Sequence, residues 1–287
     1  MHADAEQGRP KLTAPAIQAY KAQGAKIVMV TAYDYPTAQA VDAAGLDAIL
    51  VGDSLGMIVL GYDSTVPVTM DEMLHHTRAV VRGAGSVHVV ADLPFMSYQV
   101  SDEQALTNAG RLMKEGGADA VKLEGGRAMA PRIEAITRAG IPVMAHIGLT
   151  PQSAAALGGF KVQGRSIEAA RGLIEDALAV ERAGAYAVVL EAIPRQLGRI
   201  ITARLGVPTI GIGAGVDCDG QVLVIGDLLG VFERFTPRFA KQYADRGAAT
   251  RSALAAFAAE ARAGEFPTPE HGFAMAREVL AALEADA

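Results

Sequence analysis

The chain has 287 residues, 51% hydrophobic and 20% charged, enough to bury one large core and close to the roughly 250 residues of a single α/β barrel. A net charge of -6 and a pI near 5.6 argue against a nucleic-acid partner, which wants clustered positive surface. The lone Cys218 excludes an internal disulfide and suits a reducing, cytoplasmic setting, while residues 1–10 carry Asp4, Glu6 and Arg9 without the apolar run of a signal peptide or membrane anchor.

In chain order, residues 1–11 read as a flexible tail, and 13–21 read as a helix with Thr13 as cap, Pro15 in its first turn and Gly24 beyond its end. Such a helix suits the bottom of a barrel. A β-branched run at 27–32 is the first strand and leads into Tyr33-Asp34-Tyr35-Pro36. A helix over 37–44 ends at Gly45, and a second strand follows at 48–52.

The same helix, glycine, strand junction returns at Gly117, Gly140, Gly184 and Gly206, with Arg138, Arg182 and Arg204 just before the last three. Glycine past a helix end accepts a left-handed conformation, and basic residues suit the negative end of the helix dipole. Further strands are predicted at 87–92, 119–124, 142–147, 186–191, 208–212 and 222–226. Apolar strands separated by helices imply a parallel sheet, and eight of them imply a closed (β/α)8 TIM barrel, with an open doubly wound sheet as the alternative. No Pro/Gly-rich linker divides the chain, so a single domain over 1–287 is expected. Residues 231–287 form a C-terminal helical extension, with helices near 239–257 and 274–285 that cover either this barrel or a neighbour's.

Five apolar runs end in an ionisable residue, at Asp53, Asp92, Glu124, His146 and Glu191. In a barrel these positions converge on one mouth. Strand periodicity puts Lys122 on the face of Glu124, opposite Val121 and Leu123. One buried salt bridge is the plain alternative, but more carboxylates converge than one lysine neutralises. Two carboxylates about 4 Å apart repel by roughly 4 kcal/mol at an effective dielectric of about 20, so Asp53, Asp92 and Glu124 favour protonation or a bound cation. An all-oxygen set points to Mg²⁺. Glu191, arriving from another side, suits a general base, or else caps the helix after Pro194. His146 orients a carboxylate or substrate, or is a structural hydrogen-bonder. His75 and His76 read as scaffold, Cys218 as incidental, and Gly211-Ile212-Gly213-Ala214-Gly215 as a weak phosphate-loop signal, or as glycines that permit a tight turn or close subunit packing.

The phrases Thr31-Ala32-Tyr33-Asp34-Tyr35, Val51-Gly52-Asp53-Ser54-Leu55-Gly56-Met57, Ala91-Asp92-Leu93-Pro94-Phe95-Met96, Val121-Lys122-Leu123-Glu124-Gly125-Gly126 and His146-Ile147-Gly148-Leu149-Thr150-Pro151-Gln152-Ser153 stand in one order. By these phrases the chain resembles the ketopantoate (3-methyl-2-oxobutanoate) hydroxymethyltransferase family over about 12–273. The resemblance implies a (β/α)8 barrel, one Mg²⁺ per subunit, 5,10-methylenetetrahydrofolate as co-substrate and a homodecamer. It further implies Asp53 and Asp92 as metal ligands in contact with substrate, Glu124 completing the metal site, Ser54 and Lys122 holding the 2-oxo acid, and Glu191 as base. Some relatives have Cys-Val-Pro where this chain has Ala192-Ile193-Pro194. The implied reaction is hydroxymethyl transfer to 3-methyl-2-oxobutanoate through a Mg-stabilised enolate, giving 2-dehydropantoate for pantothenate and coenzyme A. Alternatives are a Mg-dependent 2-oxo-acid lyase or mutase of the phosphoenolpyruvate mutase/isocitrate lyase type, although its Lys-Lys-Cys-Gly-His-like loop is missing, and a non-catalytic metal-binding barrel.

Overall fold

The structure is a computed structural model that describes residues 9–231 and 237–285. Its eight strands close in sequence order into a parallel barrel. They are β1 (Ile27–Thr31), β2 (Ala48–Val51), β3 (His88–Asp92), β4 (Ala120–Glu124), β5 (Val143–Gly148), β6 (Ala187–Glu191), β7 (Thr209–Ile212) and β8 (Gly220–Leu223). The helices are α1 (Ala14–Gln23), α2 (Tyr35–Ala43), α3 (Leu55–Ile58), α4 (Met70–Gly83), α5 (Asp102–Lys114), α6 (Ala130–Arg138), α7 (Ala154–Leu157), α8 (Ile167–Arg182), α9 (Arg195–Arg204), α10 (Ile225–Leu229), α11 (Arg246–Ala263) and α12 (Arg277–Ala285).

Period-two alternation sorts the strand side chains into two cores. Ile49, Val51, Val89, Ala91, Val121, Leu123, Val188 and Leu190 face the helices. Leu50, Val90, Ala120, Met144, Ala187, Val189, Ile210 and Val222 fill the barrel, and Ala14 and Ile17 of α1 join them from below. The α1 plug is fastened by Lys21, whose Nζ donates to Thr202 O and Asp219 Oδ2 at 2.9 and 2.8 Å. Thr13 caps α1 and Gly24 ends it with φ +66°, as the sequence requires.

Residues 1–8 of the expected tail lie outside the described residues; Arg9 bonds Asp47 Oδ1 at 2.8 Å and Lys11 bonds Val87 O at 2.7 Å. Helix α2 begins at Tyr35, two residues before the expected start, because the Asp34 carboxylate caps it through Thr37 N. Glycines 45, 117, 140 and 184 turn left-handed between helix and strand. Gly206 does not: α9 ends through extended Leu205, and the N–H groups of Gly206 and Val207 donate to Glu181 Oε1.

Two boundaries differ from expectation. Strand β8 lies two residues early, because Ile27 pairs with Gly220 and Val224 already caps α10. The C-terminal helix starts at Arg246 and not near 239, since Asp245 caps it by accepting from Ala248 N. Part of that extension, at 232–236 and 286–287, lies outside the described residues. Helix α11 buries no residue, and Val28 on the outer face of β1 is 49% exposed, so α11 does not cover this barrel's β1–β8 seam. Among the described residues no helix is long and apolar enough to cross a membrane.

The seam is tightest at Gly220, where a Cβ would sit 2.6 Å from Ile27 O and 2.7 Å from Ile27 Cβ. Backbone cannot yield to a methyl group there. Gly220→Ala is expected to lower unfolding stability by roughly 1–3 kcal/mol, read as a lower urea midpoint with unchanged slope.

Candidate active site

The register of the parallel ladder assembles the mouth. Asp92 pairs with Lys122, Glu124 with His146 and Gly148 with Glu191. Neighbouring strands lie about 4.8 Å apart, so side chains at paired positions on one face must touch. Lys122 Nζ is 3.0 Å from Asp92 Oδ1 and 3.2 Å from His146 Nδ1, which is itself 3.5 Å from Glu124 Oε1. On its other side, His146 Nε2 is 3.2 Å from Glu191 Oε2. The backbone N–H of Asp53 donates to Asp92 Oδ2 at 3.0 Å, which brings the two aspartates together. Gly52 allows this, since a Cβ there would lie 2.9 Å from Ser54 Oγ and 3.4 Å from Asp92 Oδ2. Ser54 Oγ shares a 2.8 Å hydrogen bond with the Tyr33 hydroxyl.

The structure thus brings together Asp53, Asp92, Lys122, Glu124, His146 and Glu191, with Ser54 alongside. Glu191 contacts His146 and does not cap the helix after Pro194; no side chain caps α9. It is held by a strained neighbour, Ala192 at φ +46°, of the kind that costs about 1–3 kcal/mol and clusters at functional sites.

Sequence reasoning gave no role to Gln152, which ties the acids together. Its Nε2 donates to Asp53 Oδ2 and Leu93 O at 2.8 and 3.0 Å, and its backbone N–H donates to Glu124 Oε2 at 3.0 Å. Its Oε1 accepts from the Tyr98 hydroxyl at 2.6 Å. Position 152 sits inside the quoted strand-five phrase, which was the available signal; Tyr98 had none. His76 is scaffold, with Nδ1 donating to Tyr33 O at 2.6 Å. Burial pushes the Cys218 thiol up, which leaves it unsuited to attack. Gly213 and Gly215, at φ +68° and +94°, make the turn expected of that loop and admit the Phe239 ring and Arg195 of the same chain.

Burial, with the Asp92 and Glu124 charges behind it, pushes the Asp53 carboxyl well above the usual carboxylate range. Burial also raises Asp92, against the pull of Lys122. In Glu124 burial is outweighed by His146, Lys122 and the Gln152 N–H, which hold its carboxyl low. Burial and Lys122 oppose protonation of His146, but the Glu124 and Glu191 carboxylates outweigh them and hold the imidazole up at about 9. With all six groups ionised, the four carboxylates exceed Lys122 and His146 by two negative charges. Asp92 Oδ1 is buried with no hydrogen bond, only the Lys122 ion pair. Excess charge and all-oxygen donors fit a hard divalent ion. Among the described residues no group of three or more His, Cys, Asp or Glu side chains is placed to hold a metal ion, and both Glu124 oxygens are already engaged, by His146 and Gln152.

Fold and site define a (β/α)8 barrel with an acidic mouth. The same fold occurs in 2,3-dimethylmalate lyase, described as a PEP mutase/isocitrate lyase superfamily member, at a TM-score of 0.56 and 17% identity over 96% of this chain and 99% of that one. The chain belongs to the ketopantoate hydroxymethyltransferase family, whose pattern matches residues 11–269. It is 62% identical to the 3-methyl-2-oxobutanoate hydroxymethyltransferase of Moorella thermoacetica over 92% of this chain and 98% of that one. Identity to the enzyme of the same name from Heliobacterium modesticaldum is 60%, over 94% and 98%.

A histidine raised from 6.5 to about 9 on folding contributes stability that is full below pH 6.5 and is lost as pH rises through about 9. Metal-free protein is expected to lose thermal stability across that window. His146→Gln should flatten this part of the pH profile, as measured by thermal melts in chelator.

Proposed function

We propose that the chain transfers a hydroxymethyl group from 5,10-methylenetetrahydrofolate to 3-methyl-2-oxobutanoate, giving 2-dehydropantoate and tetrahydrofolate in pantothenate and coenzyme A synthesis, in the cytoplasm. The observation that carries the assignment of roles is exposure at the mouth. The Glu191 side chain is 15% exposed, whereas those of Asp92, Lys122, Glu124 and His146 are 3–4% exposed. Glu191 is the acid that an incoming substrate reaches first, and His146 aims it.

Asp53 and Asp92 would hold Mg²⁺, with Glu124 completing the acidic set from behind. Bound there, the ion supplies positive charge where the enolate oxygen develops. Lys122 meets the carboxylate of the oxo acid as a point charge, and the Ser54 hydroxyl, oriented by Tyr33, donates to the same substrate. The methylene carbon's bond to one folate nitrogen opens to the iminium form, that nitrogen taking up a proton. Glu191 removes the C3 proton of the oxo acid, and the electron pair left on C3 forms a bond to the iminium carbon. Hydrolysis then breaks that carbon's bond to the second folate nitrogen, leaving the hydroxyl on carbon and a hydrogen on nitrogen. Each pKa unit separating a carbon acid from a carboxylic acid costs about 1.36 kcal/mol, so Glu191 needs the positive charge held by its neighbours.

A homodecamer is proposed for the assembly. It is supported by the uncovered β1–β8 seam and by the apolar residues that α11 and α12 leave exposed, including Leu254, Phe257, Val279 and Leu283. Sedimentation equilibrium of the full chain is expected to return ten times the 29.8 kDa subunit mass; a monomer would sink this part of the reading.

With Mg²⁺, the wild-type protein is expected to exchange the C3 hydrogen of 3-methyl-2-oxobutanoate with deuterium from solvent. Glu191→Gln should slow exchange by about 10²–10⁴-fold, and chelator should abolish it. Lys122→Ala should raise the KM for the oxo acid and lower turnover together. Undiminished exchange in Glu191→Gln would remove Glu191 from its role.

A further inference from the structure

Next to the acidic mouth lies a cleft of about 510 Å³ between the loop that precedes α4 and the loop that follows β3. All of its lining side chains are uncharged, among them Val66, Val68, Thr69, Phe95, Met96 and Asn108. Both walls are fixed to the site. Pro94 lies two residues after Asp92, at most about 7 Å along the chain. Val68 packs where a side chain on Gly56 would stand, 2.6 Å from that Cβ position and two residues beyond Ser54.

The cleft has been shaped at some cost. Met96 holds φ +61°, which costs a residue with a side chain roughly 1–2 kcal/mol, and it presents a side chain that is 50% exposed. Gln104 and Asn108 pin this loop, with Gln104 Nε2 donating to Met96 O at 3.0 Å and Asn108 Nδ2 donating to Ser97 O at 2.6 Å. Ser97 Oγ donates to Pro94 O at 2.6 Å, closing the turn. Strain, exposed thioether and exposed Val66 together describe a binding wall, since a buried loop would tuck Met96 inward. The volume falls in the ordinary range for small-molecule sites, about 300–1,000 Å³.

The reaction brings two ligands of different character. The oxo acid is an anion and matches Lys122. A reduced folate carries its one-carbon unit on a neutral ring system whose pyrimidinone half is flat, and the uncharged cleft matches that. We propose that the cleft holds the fused-ring and aminobenzoyl portion of the folate, with the Met96 sulfur against a ring face and the Asn108 carbonyl accepting from a ring N–H. The one-carbon unit then points towards the Asp53, Ser54 and Asp92 end. This assignment rests on the reading that a folate is the donor.

The test uses Val66→Asp, which puts an anion on an exposed wall, and Met96→Gly, which removes the thioether while keeping the left-handed turn. Each variant is expected to raise the KM for 5,10-methylenetetrahydrofolate roughly tenfold or more and to weaken tetrahydrofolate binding in calorimetry in proportion, with the KM for the oxo acid unmoved. Unaltered folate KM and affinity in both variants would overturn the assignment. So would C3 exchange falling in step with affinity, which marks a general structural defect, or wild-type protein that binds no tetrahydrofolate. Wild-type protein that binds tetrahydrofolate in a manner sensitive to both substitutions, yet makes no hydroxymethylated product, would support the cleft while removing the transfer reaction.

Discussion

Lys122 is buried inside a barrel with its ammonium 3.0 Å from Asp92 and within reach of His146. Taking such charges out of water is costly, and loss of one partner from a buried pair typically costs about 3–5 kcal/mol because the other charge is stranded. A fold optimised for stability alone would fill this space with Leu or Met, as it does lower in the barrel with Leu50 and Met144. The lower layers are mostly apolar, with the buried His88–Tyr186 hydrogen bond among them, and the top layer is ionic, so stability is supplied below and chemistry above. Asp53, Glu124, His146 and Glu191 are tolerable in that layer because each is within reach of an opposite charge, a backbone N–H or an amide.

Sequence pattern exposed the ionic layer well. Asp53, Asp92, Glu124, His146 and Glu191 stand at the ends of apolar runs, and the period of a strand puts Lys122 on the same face as Glu124. Pairing between strands then follows from register. Gln152 was hidden because its contacts depend on a loop folding back over β4, a long-range event with no local period. The neutral cleft was hidden for the same reason, being formed by two loops distant in sequence.

The misplaced boundaries have local causes. Val222-Leu223-Val224-Ile225 is a single apolar stretch, and hydrophobicity cannot divide it between β8 and α10; the partner strand does, through Ile27 opposite Gly220. Residues 239–245 look helical by composition, yet Asp245 offers a stronger cap than any residue before it, so the helix begins there. In each case a specific backbone hydrogen bond overrode a weak statistical preference.

The plug formed by α1 bears on how the enzyme turns over. With Ala14 and Ile17 sealing the lower end and Lys21 tying α1 to Thr202 and Asp219, the barrel is packed from below and its ionic layer faces the upper mouth. On the reading that places the oxo acid beside Lys122, that mouth is both its way in and its product's way out.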